Sequence, residues 1–292
     1  MGQPAAAVSK TSGYRSRPLQ VTWEVTNSIN WKPVSPRSRA AREFQQFSTA
    51  EGFHLIEQIA DMHVPLLALT GGDPLGRPDL LPLIEFASER SVRTSLTVLP
   101  MVKIEPGITA ELKACGLMRA AFWLNGSTPG LHDHFWGMPG LYRRTMESIG
   151  LCHEVQMPVQ VNTMLSRRNF QNLDPMIELL TRLDVSLWHV FFYVPPKREE
   201  AGEMLNADEH EEVFAKLYAA SRRRTSRSRP PKGSTINGIC YSSGCGNREE
   251  NSQKRLPFLT LPEASMMGKG SYSSTLVVRH IPADFCRFRA EM

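Results

Sequence analysis

Six short apolar runs, separated by amphipathic segments, constrain the fold more than any other feature of this 292-residue chain. The runs are Leu19–Thr26, Val64–Thr70, Thr94–Leu99, Met118–Leu124, Pro158–Met164 and Ser186–Val194. Each is rich in Val, Leu, Phe or Trp, the composition of strands buried on both faces. The segments between them carry helix-start signals. Ser48 with Glu51 forms a capping box ahead of Phe53, Ile56 and Ile59. Asp79 precedes Leu80, Leu81, Leu83, Ile84 and Phe86, and Asn206 with Glu209 precedes Val213, Phe214 and Leu217. After the first gap the runs start 24–40 residues apart, the length of a strand–helix unit. Six such units in a row predict an α/β fold with a parallel sheet, open or curled into part of a barrel.

Composition sets the remaining bounds. Hydrophobic residues make up 41% of the chain, enough for a sizeable core. No stretch approaches the apolar length of a membrane span, and the first twenty residues lack the apolar segment of a secretory signal. Five cysteines, an odd number in a chain this long, disfavour a disulfide scaffold and point to a cytoplasmic protein. The formal charge of +5 is unevenly placed. Residues 222–292 hold 13 Lys/Arg against 5 Asp/Glu, which leaves 21 against 24 for the rest. A basic tail on a slightly acidic body disfavours nucleic-acid binding by the whole chain, although such tails do bind RNA. Residues 1–18 read as a disordered leader, 19–221 as the folded unit, and 222–292 as a basic unstructured tail.

Three segments follow strands and carry candidate chemistry. Leu69-Thr-Gly-Gly-Asp-Pro-Leu-Gly-Arg-Pro-Asp79 places two glycines where a ligand can lie against bare backbone, at the strand end where α/β barrels bind substrate. The same pattern also suits a plain glycine-rich turn. Leu124-Asn-Gly-Ser-Thr-Pro-Gly-Leu-His-Asp133 offers Thr128 and Pro129 as a helix cap and start. Its His132 and Asp133 are candidate catalytic side chains or local hydrogen-bonding groups. In Val161-Asn-Thr163, Asn162 interrupts an apolar strand and needs a partner, either a ligand or a core amide.

Taken together, these segments resemble the radical SAM superfamily, and within it the branch whose barrel is followed by a cysteine-rich SPASM domain. The resemblance covers about 19–221. It rests on Thr22-Trp-Glu-Val-Thr26, Thr70-Gly-Gly-Asp-Pro-Leu75 with Arg77-Pro-Asp79, Asn125-Gly-Ser-Thr-Pro129 with His132-Asp133, and Val161-Asn-Thr163. It implies a partial (βα)6 TIM-type barrel. In the family this holds a 4Fe–4S cluster on three cysteines and S-adenosylmethionine on the fourth iron position. Reductive cleavage there gives a 5′-deoxyadenosyl radical that abstracts hydrogen from a peptide, tetrapyrrole or other small-molecule substrate. The resemblance places Gly71, Gly72, Asp73 and Pro74 beside the methionine end of the cofactor, and Asn162 near it.

The chain departs from the family where the cluster should sit. Three thiolates spaced C-x3-C-x2-C should follow the first strand, because iron–sulfur clusters require thiolate. The matching positions hold Ile29, Pro33 and Pro36, and no Cys or His occurs in residues 1–53. Ser35 stands where an aromatic residue usually meets the adenine, Trp123 takes a small hydroxyl position, and Asn125 replaces an aspartate. Cys115 and Cys152 read as small buried hydrophobes, and Cys240, Cys245 and Cys286 lack ligand logic. No catalytic or metal-ligating residue is therefore assigned. A 4Fe–4S cluster is not expected, an electron donor is needed only with a cluster, and S-adenosylmethionine remains the expected cofactor. The expectation is a degenerate radical SAM enzyme, with a non-catalytic S-adenosylmethionine-binding protein or a tail-directed nucleic-acid binder as alternatives.

The tail matches none of the family's continuation. Back-translated with permitted codons in one shifted phase, Ser228–Gly238, Met266–Ser274 and His280–Phe288 can encode peptides that look like that continuation. The tail is thus expected to be an out-of-frame reading that begins near 222.

Overall fold

Alternation of side chains along each extended run decides which residues face the helices. A computed structural model describes residues 18–26, 46–194, 198–225 and 275–278. Its strands are Gln20–Thr26 (β1), Leu66–Gly71 (β2), Arg93–Val98 (β3), Leu117–Trp123 (β4), Val159–Leu165 (β5), Leu187–Phe192 (β6) and Thr275–Val278 (β7). The helices are Thr49–Asp61 (α1), Leu80–Glu89 (α2), Ile108–Ala114 (α3), Pro129–Trp136 (α4), Leu141–Glu154 (α5), Leu173–Arg182 (α6) and Ala207–Thr225 (α7). The sheet order is β6-β5-β4-β3-β2-β1-β7 and every pairing is parallel. Six consecutive strand–helix units in consecutive sheet order form the expected α/β architecture, and β6 and β7 stand at opposite edges of an open sheet.

Local chemistry sets the helix starts. The Ser48 hydroxyl accepts from the Glu51 N–H, and the Glu51 carboxylate accepts from the Ser48 N–H at 2.8 Å. Asn206 and Glu209 exchange the same pair of bonds at 2.8 and 2.7 Å. Thr128 caps α4 through the Leu131 N–H, with Pro129 in the first turn. Asp79 differs from expectation: it stands at the N-cap of α2 but makes no side-chain cap bond, because Arg77 takes its carboxylate.

One sheet face builds the core. Val21, Trp23, Val25, Leu67, Leu69, Leu96, Val98, Phe122, Val161 and Val190 belong to one buried cluster with Ile56, Ile59, Leu83 and Ile84 from α1 and α2. Helix α1 approaches so closely that a Cβ on Gly52 would stand 2.8 Å from the Trp23 indole. The opposite face corrects the expectation of strands buried in apolar surroundings on both sides. By register, it carries Thr22, Glu24, Thr70, Ser95, Thr97, Arg119, Gln160, Asn162 and His189. Most of these are only half-buried.

The reading of 222–292 as lacking helix and strand differs from the structure at two places. Helix α7 runs on to Thr225, and Thr275-Leu-Val-Val278 pairs with Gln20–Trp23. A short β-branched run suits the unpaired backbone groups that the outer edge of β1 offers. Residues 1–17, 226–274 and 279–292 lie outside the described residues, as do Ile29, Pro33, Ser35 and Pro36. No helix among the described residues is long and apolar enough to cross a membrane.

Candidate functional site

The candidate residues gather at the C-terminal ends of the parallel strands, where this architecture places its ligands. At the end of β2 the chain needs glycine. Gly71 has φ +133°, and a Cβ there would stand 2.3 Å from the Thr26 carbonyl oxygen. The Gly72 N–H donates to that same oxygen at 3.0 Å. The pair locks the exit of β2 against the exit of β1. Asp73 and Pro74 then open a short 3-10 turn ending at Gly76. Asp73 is half-buried, and its carboxylate accepts from the Gly76 N–H at 3.3 Å.

Arg77 holds this corner in place. Its guanidinium is 4% exposed and grips the Asp79 carboxylate at 2.7 and 2.9 Å. It also donates to the Val25 and Phe47 carbonyls at 2.8 and 2.9 Å and lies 5.3 Å from the centre of the Trp23 ring. Burial alone would raise the Asp79 carboxyl, but hydrogen bonds from Arg77 and Thr49 bring it below its ordinary value. Sequence reasoning quoted Arg77 without giving it a role. The available signal was a charged residue between a glycine turn and a helix start.

The β4–α4 loop is built as scaffold. Asn125 is 1% exposed. Its Oδ1 accepts from the Met164 N–H at 2.8 Å, and its carbonyl accepts from Asn169 Nδ2 at 2.9 Å. The Asn125 N–H donates to His132 Nδ1 at 3.1 Å. His132 is 0% exposed, and burial pushes its pKa down to about 4. Asp133 accepts from the Gly140 and Tyr142 N–H groups at 2.6 and 2.7 Å, which ties down the start of α5. Of the two readings open for His132 and Asp133, these contacts support local hydrogen bonding.

Asn162 is 4% exposed on the polar face of β5, in register with Trp123 on β4 and His189 on β6. Its Oδ1 accepts from Gln160 Nε2 at 2.7 Å. Thus Gly71, Gly72, Asp73 and Pro74 share one turn, while Asn162 sits three strand spacings away, about 14 Å along the sheet. Gln160 and His189 escaped the sequence reading. The polar positions at i and i+2 in Thr22/Glu24, Ser95/Thr97 and Gln160/Asn162 could have revealed this face.

A half-buried carboxylate beside a glycine turn fits the ammonium end of an amino-acid-type cofactor, so these residues suit S-adenosylmethionine. The described donor set does not suit an iron–sulfur cluster. Cys115 caps α3 and Cys152 is fully buried in α5, and neither stands at a strand end. Burial raises both thiols, Cys152 to about 12. Among the described residues no three His, Cys, Asp or Glu side chains gather as a metal site.

No protein-family model matches the chain. An AdoMet-dependent heme synthase of Methanosarcina barkeri is 30% identical over 203 residues, covering 69% of this chain and 58% of that protein. A PqqA peptide cyclase of Rhizobium meliloti is 32% identical over 139 residues, covering 48% of this chain and 37% of that one. The crystal structure of Streptococcus suis SuiB bound to S-adenosylmethionine superposes with a TM-score of 0.60 at 13% identity. That match covers 79% of this chain and 51% of SuiB. The two curated likenesses support a radical SAM superfamily member. The SuiB superposition speaks for the radical SAM fold alone. The chain spans 58% and 37% of the two curated relatives.

Proposed function

We propose that this chain binds S-adenosylmethionine at the strand ends of a radical SAM-type barrel without cleaving it reductively. The observation that carries the reading is a mismatch within one site. Gly71, at the head of the Gly71–Pro74 turn, holds a φ that only glycine adopts easily, whereas the three cluster positions hold Ile29, Pro33 and Pro36. The hydrocarbon side chains of Ile and Pro have no lone pair to offer iron. Asp73 and the backbone around Gly72 receive the methionine ammonium, and Asn162 lies near the remainder of the cofactor. The substrate follows the relatives, whose names divide between heme synthesis and peptide cyclisation. Without a cluster no electron donor is needed. Residues 222–292 are taken as an out-of-frame extension of the 19–221 barrel, with β7 as an edge pairing open to any short apolar run.

Calorimetric titration of the full chain with S-adenosylmethionine, before and after anaerobic loading with iron and sulfide, tests both halves. Saturable heat is expected, weakened roughly tenfold by Asp73→Asn, since a charge-assisted bond contributes on the order of 1.5 kcal/mol. Loading should produce no iron–sulfur absorption, and dithionite added as the electron source should produce no 5′-deoxyadenosine. A stoichiometric cluster would overturn the inactive half, and absent heat would overturn the binding half. Sequencing the coding DNA across codons 26–37 and 220–230 tests the tail: a shifted frame without family-like peptides rejects it.

A further inference from the structure

The ladder between β1 and β2 is interrupted one residue before its end. Glu24 pairs with Thr70 and Thr26 with Gly71, so Val25 is an extra residue on β1, a β-bulge. A bulged residue drops out of the ladder, and Val25 is fully buried, so its carbonyl needs a partner from elsewhere. That partner is Arg77, whose Nη1 donates to the Val25 carbonyl at 2.8 Å across 52 residues of sequence.

The bulge decides what stands next to the glycine turn. It brings the Thr26 carbonyl oxygen to the Gly72 N–H, 3.0 Å away, and leaves no room for a Cβ on Gly71. The same guanidinium donates from Nη2 to the Phe47 carbonyl at 2.9 Å, and Gln46 Nε2 donates to the Thr26 hydroxyl at 3.0 Å. Arg77 thus ties the end of β1 to the residues just ahead of α1. Its own backbone closes the 3-10 turn that follows the glycines, with its N–H donating to the Pro74 carbonyl at 3.2 Å. The neighbouring Gly76 N–H holds the Asp73 carboxylate at 3.3 Å. One residue therefore braces the turn from both sides. Its side chain holds the bulge behind Gly71 and Gly72, and its backbone ends the turn that carries Asp73. Asp79 takes up the positive charge through bonds of 2.7 and 2.9 Å, so the brace adds no net charge beside a turn that receives an ammonium group.

We infer that Arg77 is a positioning residue for the Gly71–Asp73 turn, acting through the Val25 bulge and the Thr26 carbonyl, and that it sets the affinity for the ligand Asp73 holds. The inference rests on the reading of that turn as the seat of the S-adenosylmethionine ammonium. Lysine cannot take over the role, because a single ammonium lacks the planar fork that reaches two carbonyls and a carboxylate together.

Three measurements test it. The first needs no variant: 15N NMR of the wild-type chain should resolve separate, slowly exchanging Nη–H resonances for Arg77, and averaged, rapidly exchanging ones would overturn the brace. In Arg77→Lys, amide hydrogen exchange should speed at least about tenfold at Gly72 and Gly76 but less than about threefold at Leu96 and Val161 in the core strands. Equal acceleration at all four would reduce Arg77 to a contributor to global stability and overturn the positioning role. Calorimetric titration with S-adenosylmethionine should show roughly tenfold weaker binding in Arg77→Lys. Added to Asp73→Asn, the same change should cost less than about threefold, because a positioning residue acts through the group it places. Unchanged affinity in Arg77→Lys, or losses that multiply in the double variant, would reject the inference. Absence of heat from the wild-type chain would instead remove the S-adenosylmethionine reading of the turn, and the exchange pattern would then decide the role of Arg77 by itself.

Discussion

The two faces of one sheet differ in what neighbouring residues are asked to do. On the helix side Val21, Trp23, Val25, Leu67, Leu69, Leu96 and Val161 are at most 1% exposed. One residue away along the same strands, Thr22, Glu24, Thr70 and Thr97 are half-buried and polar. The first face excludes water and holds the units together. The second gives up that stabilisation and keeps groups that can meet a ligand. Chemistry and stability are therefore separated by sheet side rather than by sequence position.

The sharpest way to break that comparison is a pair of truncations, one on each face of the sheet. Trp23→Ala removes an indole that packs against α1 and supports Arg77, and should lower unfolding free energy by about 3–5 kcal/mol. Thr97→Ala on the other face should cost less than about 1 kcal/mol. Urea unfolding of both variants checks the contrast, and equal losses would abolish it.

Two histidines extend the comparison to pH. Both have pKa values pushed to about 4, mainly by burial. A histidine depressed in the folded state binds fewer protons there than in the unfolded chain. Stability is then full above about pH 6.5 and is lost as pH falls toward 4. For the fully buried His132 the loss is on the order of 3 kcal/mol. His132→Gln should flatten the decline between pH 6.5 and 4, read by urea unfolding at several pH values. A His132 that titrates near 6.5 would show that its surroundings admit water.

Much of this architecture was legible because strand–helix periodicity and caps are local. The six apolar runs matched β1–β6, and Ser48, Thr128 and Asn206 start helices where their spacing placed them. The polar sheet face was not read, because Val, Leu and Phe dominated each run and hid polar residues spaced two apart. Arg77 was missed for another reason. Its partners Val25 and Phe47 lie 52 and 30 residues away, and no local period encodes them. Likewise, the pairing of Gln160 with His189 spans 29 residues and exists only once β5 and β6 align.

Asp133 provides the smallest and most discriminating comparison. It sits beside a buried histidine just past a strand end, which is the setting of a catalytic carboxylate. Both oxygens nevertheless accept backbone N–H groups at the start of α5. A carboxylate so engaged acts as a helix anchor, and removing such an acceptor costs about 1 kcal/mol. Asp133→Ala should therefore lower the melting temperature by a few degrees and leave the S-adenosylmethionine heat as in wild type. Calorimetry on the variant decides the point. If ligand affinity fell with stability, the β4–α4 loop would belong to the ligand-facing side of the sheet, and the division between scaffold and site would have to be redrawn through Asn125 and His132.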